Sequence, residues 1–181
     1  MIILPEKPDF LKKIKFKRVY WLYIINFLIF ALLFLVNTSF EGALQIRKAT
    51  PLLLFPFLTA FAINNEELPS FTAGLLIGIC LDAVTIGSFC FNTIVLALIG
   101  AATSFTSKYL FNKNIRAAIV LALFGALIYF IFNWLFKFAF VSGVKNSIIY
   151  LLEYAIPSAI YTAVFVIPAF YLQRKLQKLR T

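Results

Sequence analysis

Apolar residues gather into long runs that neither alternate nor recur at amphipathic spacing. The first, VYWLYIINFLIFALLFLV from Val19 to Val36, approaches the roughly 20 residues a helix needs to cross a bilayer. It predicts an uncleaved span, being too long for a signal-peptide core and lacking an A-x-A-like site after it. The second run, Thr50 to Ile63, is short. Its Pro51 suits a first helical turn, Pro56 predicts a kink or a shortened helix, and extension back to Gln45 would let it cross. Further runs cover Ser70–Gly87, about Phe91–Ser107, about Ala117–Val141, and about Ile148–Leu172 with Pro157 and Pro168 inside. The pattern predicts an all-α, polytopic membrane helical bundle of about six transmembrane helices. Its parts are a basic juxtamembrane segment 1–18, a six-span domain 19–172 and a basic tail 173–181.

Composition supports that class. The chain is 62% hydrophobic and 13% charged, with a mean hydropathy of +0.94; soluble domains run to about 45–50% apolar and about 25% charged. There is no histidine, and Asp and Glu together number 7. That inventory argues against His-based triads, the usual zinc sites and paired-acid hydrolysis. No catalytic residue, cofactor or metal site is predicted. Glu66 and Glu67 read as solvated loop carboxylates, and Cys80 and Cys90, at a spacing that fits no metal motif, as small buried hydrophobes.

The net charge of +10 suggests nucleic acid until the basic residues are located. Most flank the spans. Lys7, Lys12, Lys13, Lys15, Lys17 and Arg18 precede the first. Lys108, Lys113 and Arg116 follow the fourth, and Arg174, Lys175, Lys178 and Arg180 follow the sixth. The opposite side keeps only Arg47, Lys48, Lys137 and Lys145. This asymmetry predicts both termini in the cytoplasm, with anionic lipids and not nucleic acid as the partner of the charge. The stretch DFLKKIKFKR reads either as a short amphipathic helix along the headgroups or as a plain cationic anchor.

Candidate chemistry concentrates in the third run, where Ser70, Gly74, Gly78 and Asp82 recur every four residues along one helical face. The glycines permit close backbone approach, and Asp82 places a carboxylate inside a membrane segment, at a cost of about 2.5–3.5 kcal/mol at midplane. Three roles stay open for Asp82: a polar helix-end residue that packs or caps a turn, a proton or ion site, and a packing element that shapes a partner surface. Ala97, Ala101 and Ser104, then Ala118, Ala122 and Ala126, then Ala155, Ala159 and Ala163 form similar stripes, expected to pack within the bundle. The first span has no such stripe and is expected to face lipid. Asp82, Lys137 and Glu153 fall at similar depths below one end of the bundle, so Lys137 is expected near Asp82 or Glu153, unless its amine snorkels to the headgroups.

From Phe71 to Phe111, a glycine-rich span ending in aspartate, then a glycine turn and another span, resembles the rod-shape-determining membrane protein family MreD. Gly74, Gly78, Asp82 and Gly87 carry the likeness, with Phe91 opening the next helix. The resemblance implies a non-catalytic scaffold of the bacterial inner membrane that supports lateral peptidoglycan synthesis. It would bind the bitopic protein MreC and, indirectly, MreB, RodA and its transpeptidase partner. The four positions are then structural or partner-packing residues. The family is also similar in fold to the substrate-binding subunits of energy-coupling-factor vitamin transporters, which supplies an alternative function. Those subunits carry A-x-x-x-A in the first helix, where this chain has Ala31 and Leu35, and they line a pocket with polar groups, in which spans one, two and four are expected to be sparse. A transporter of ions or lipids would rest on Asp82 alone.

Overall fold

The computed structural model of the chain describes residues 9–39, 52–85, 90–110, 114–140 and 156–178, with side chains from Trp21 in the first helix and up to Phe136 in the fifth. The described residues form helices α1 (Asp9–Ser39), α2 (Leu54–Asn64), α3 (Glu67–Val84), α4 (Phe91–Tyr109), α5 (Ile115–Phe140), α6 (Ile156–Val164) and α7 (Val166–Lys178). The last two make one interrupted rod, so the described residues form six rods. Among the described residues four stretches are long and apolar enough to cross a membrane: Trp21–Ser39, Glu67–Val84, Ile115–Phe136 and Ile156–Lys178. The all-helical membrane class stands.

The shortest rod among the described residues is the central one. All 11 residues of α2 are buried, and α2 touches every other helix. A helix apolar on all sides belongs inside a core, which explains why the second run carries so little polarity. Pro56 does not kink it. The helix starts at Leu54, so Pro56 sits in the first turn, where its missing N–H has no intrahelical partner to lose. Pro51 and Gln45 lie outside the described residues.

Two further differences have local causes. The basic stretch from Asp9 to Arg18 continues into the first span as one 31-residue helix and so does not form a separate helix along the headgroups. The sixth rod breaks at Phe165, three residues before Pro168, whose ring and missing N–H cannot continue the ladder. The Phe165 N–H instead reaches the Thr162 carbonyl at 3.2 Å.

Neighbouring elements fix the directions. The turn at Asn65 and Glu66 reverses the chain between α2 and α3. The bundle thus has an Asp82 end, where α2 and α4 begin, and an Asn65 end, where α2 and α4 finish. As expected, α1 is peripheral. It packs chiefly on α2 and leaves Phe27, Leu28, Leu32 and Leu35 exposed. The alanine stripes point inward: Ala118, Ala122, Ala126, Ala159 and Ala163 are buried. Ala155 lies outside the described residues.

Candidate functional site

The α3–α4 hairpin is the most intimate contact in the bundle, and the four-residue stripe makes it so. A Cβ built on Gly78 would lie 2.6 Å from the Thr93 backbone nitrogen, and one on Gly74 would lie 2.8 Å from the Ala97 Cα. From the other side, a Cβ on Gly100 would lie 2.6 Å from the Ser70 carbonyl oxygen. Backbone therefore meets backbone along three successive turns, an approach that only glycine allows at these positions. The face carrying Gly74 and Gly78 is filled by α4 and holds no space for another helix.

Asp82 closes this hairpin. Its carboxylate accepts the Asn92 N–H at 3.1 Å, the Thr93 N–H at 2.8 Å and the Thr93 hydroxyl at 2.6 Å. The first N–H groups of a helix have no intrahelical acceptor. The residue at the N-cap of α4, Cys90, provides no side-chain cap and adopts a left-handed backbone with φ 60°. Asp82 supplies the missing acceptor from the neighbouring helix, and its negative charge meets the positive end of the α4 dipole. These hydrogen bonds cap the first turn of α4.

The polar chain continues into α5. Tyr129, 5% exposed, donates to the Asn92 Oδ1 at 2.7 Å and receives a long hydrogen bond from the Asn133 amide at 3.5 Å. Phe91 stacks on Phe136 at 4.8 Å between ring centroids and lies 6.5 Å from the Tyr129 ring. Lys137 stands on α5 one turn beyond Asn133, but its side chain, like Glu153 and Gly87, lies outside the described residues.

A second polar cluster occupies the Asn65 end. Ser104 donates to the Asn65 carbonyl at 2.8 Å, Gln177 donates to the Asn64 carbonyl, and Gln173 donates to the Asn26 Oδ1 at 2.6 Å. Lys108 and Glu67 form an exposed ion pair at 3.2 Å. Together the two clusters pin α3 to α4 at both ends and join α7 to α1 and α2.

Two sequence expectations need correction. Cys90 is exposed, not buried, because it sits at the helix start outside the packed face; Cys80 is half-buried, and neither forms a disulfide. The fourth rod is not sparse in polar groups, since Asn92, Thr93, Thr103, Ser104, Thr106 and Ser107 run along it. Asn92, Thr103, Ser104 and Ser107 are buried against neighbouring helices. Asn92, Tyr129, Asn26 and Gln173 are not among the residues the sequence singles out, although amides and a tyrosine within apolar helices are a signal of internal pairing. Among the described residues no group of three or more Cys, Asp or Glu side chains could hold a metal ion.

The chain matches no curated protein and no solved structure. A family model, rod shape-determining protein MreD, matches residues 15–179, nearly the full length, and the chain therefore belongs to the MreD family.

Proposed function

We propose that this rod shape-determining membrane protein acts as a non-catalytic scaffold of the bacterial cell-elongation machinery. In this reading it sits in the inner membrane as a multi-pass protein with both termini cytoplasmic. It holds an MreC-type bitopic protein and through it supports MreB, RodA and the partner transpeptidase in lateral peptidoglycan synthesis. The family match over residues 15–179 carries the reading.

The use of the polar side chains supports it. Asp82, Asn92, Tyr129, Gln173 and Gln177 each bind another part of the chain, an arrangement suited to a rigid platform. Basic residues flanking the helices would hold that platform to anionic lipid at the cytoplasmic face. Co-purification of the full chain from native membranes tests the proposal. Recovery of a single-span, coiled-coil protein is the expected result. Recovery instead of an ATPase pair together with a tightly bound vitamin would overturn it.

A further inference from the structure

A recess of about 350 Å³ opens between α1, α2 and α3, walled by Phe27 and Phe30 of α1, Phe57 of α2, and Leu76 and Ile77 of α3. Its aromatic and aliphatic walls suit a hydrocarbon chain. It is apolar along most of its length. Toward the Asn65 end its lining changes. A smaller recess shares Tyr23, Asn26 and Phe61 with the first and adds Asn65, Gln173 and Gln177.

The charge at this end is positive. Arg174 and Lys175 are exposed on α7 between Gln173 and Gln177, and Lys17 and Arg18 stand on α1 in the turn before Leu22. The acidic residues there are Glu66 and Glu67, and Glu67 is already paired with Lys108. An apolar slot that ends in amides, at the basic end of the bundle, complements an amphiphile with a negative head. We propose that this groove binds one acyl chain of an anionic phospholipid, its headgroup lying over the amides at the Asn65 end. The headgroup charge rests on the lipid contact proposed above; the seat of the chain does not.

Native mass spectrometry of the full-length protein in mild detergent, offered equal amounts of phosphatidylglycerol and phosphatidylcholine, tests this. One phosphatidylglycerol should be retained in preference to phosphatidylcholine. Thr72→Trp fills the groove from its exposed rim and should lower lipid retention about tenfold, while Leu98→Trp, on the outer face of α4, should leave it unchanged. Replacing Arg174 and Lys175 by glutamine should lower phosphatidylglycerol binding about fivefold per charge, equivalent to about 1 kcal/mol each, with phosphatidylcholine unaffected. Retention by Thr72→Trp equal to that of the unaltered chain overturns the site, as does an equal loss in Leu98→Trp. Equal retention of the two lipids by the unaltered chain overturns the anionic assignment. Failure to recover a bitopic partner would leave these outcomes unchanged.

Discussion

Asp82 binds Thr93 twice, accepting its backbone N–H at 2.8 Å and its hydroxyl at 2.6 Å. The pair spans a chain reversal, so the last turn of α3 and the first turn of α4 are joined by the carboxylate as well as by the connecting loop. A charge that is costly inside a membrane is here offset by three hydrogen bonds and a helix dipole.

If capping is what Asp82 contributes, its loss should register as stability. Asp82→Ala should destabilise the bundle by about 1–2 kcal/mol, the scale of a lost N-cap, and Asp82→Asn, which keeps one acceptor oxygen, by clearly less. Thermal unfolding in detergent micelles reads the difference. Equal losses in the two variants would mean that the charge, and not hydrogen-bond acceptance, is what the hairpin needs.

The glycines should rank by what their missing Cβ would strike. At Gly74 and Gly78 the obstacle is α4 backbone; at Gly125 it is the Phe55 ring edge, 3.0 Å away. A ring can move by a few tenths of an ångström, whereas two helix backbones separate only together. Gly78→Ala and Gly74→Ala should each cost about 1–3 kcal/mol or more, and Gly125→Ala less than either, in the same unfolding assay. A larger loss at Gly125 would contradict the close approach of α3 and α4.

Which of these contacts the sequence could disclose depends on how local they are. The stripe from Ser70 to Asp82 was legible because helical periodicity alone puts four residues on one face, and the long apolar runs marked α3, α4 and α5 within a few residues. The partners of Asp82 were not legible, since Asn92 and Thr93 meet it only after the hairpin closes. The central position of α2 was hidden as well: a short apolar run reads the same whether it lies at the rim or the middle of a bundle. Pro157 and Pro168 were visible as prolines, but the break at Phe165 depends on which of them meets an interior helical turn. Asn26 and Gln173 lie 147 residues apart, and no local pattern pairs them.

That last pair yields a prediction about the peripheral helix. Gln173 is 1% exposed and donates to the Asn26 Oδ1, linking α7 to α1, which otherwise packs chiefly on α2. Gln173→Leu should cost about 0.6–2 kcal/mol, the range for such bonds between membrane helices. It should also speed amide hydrogen exchange in α1 more than in α3 or α4. Uniform acceleration across all helices would show that Gln173 supports the bundle generally and has no special hold on α1.

Sidedness follows from the distribution of basic residues. If both termini are cytoplasmic and the helices alternate in direction, reporters fused after Thr181 and after Ser142 should give opposite sides. The same side for both would mean that one rod does not cross.

The proposed neighbourhood of Lys137 can be tested against the polar chain that leads toward it. Tyr129, Asn133 and Lys137 follow one another at four-residue spacing on α5, and the Tyr129 hydroxyl bonds Asn92, whose N–H is held by Asp82. The register of α5 therefore carries Lys137 along the face of this chain, one turn beyond Asn133. The sequence expectation pairs that amine with the Asp82 or Glu153 carboxylate, since opposite charges in a membrane segment stabilise each other when they share a depth. Asp82→Ala and Lys137→Ala should each lower the unfolding temperature. The double variant should lose less than the sum, because the second change removes a charge that has already lost its partner. Lys137→Arg, which keeps the charge, should stay close to the unaltered protein. Additive losses would reject the pairing and leave the Lys137 amine to the headgroups, as a snorkelling side chain whose removal is felt independently of Asp82.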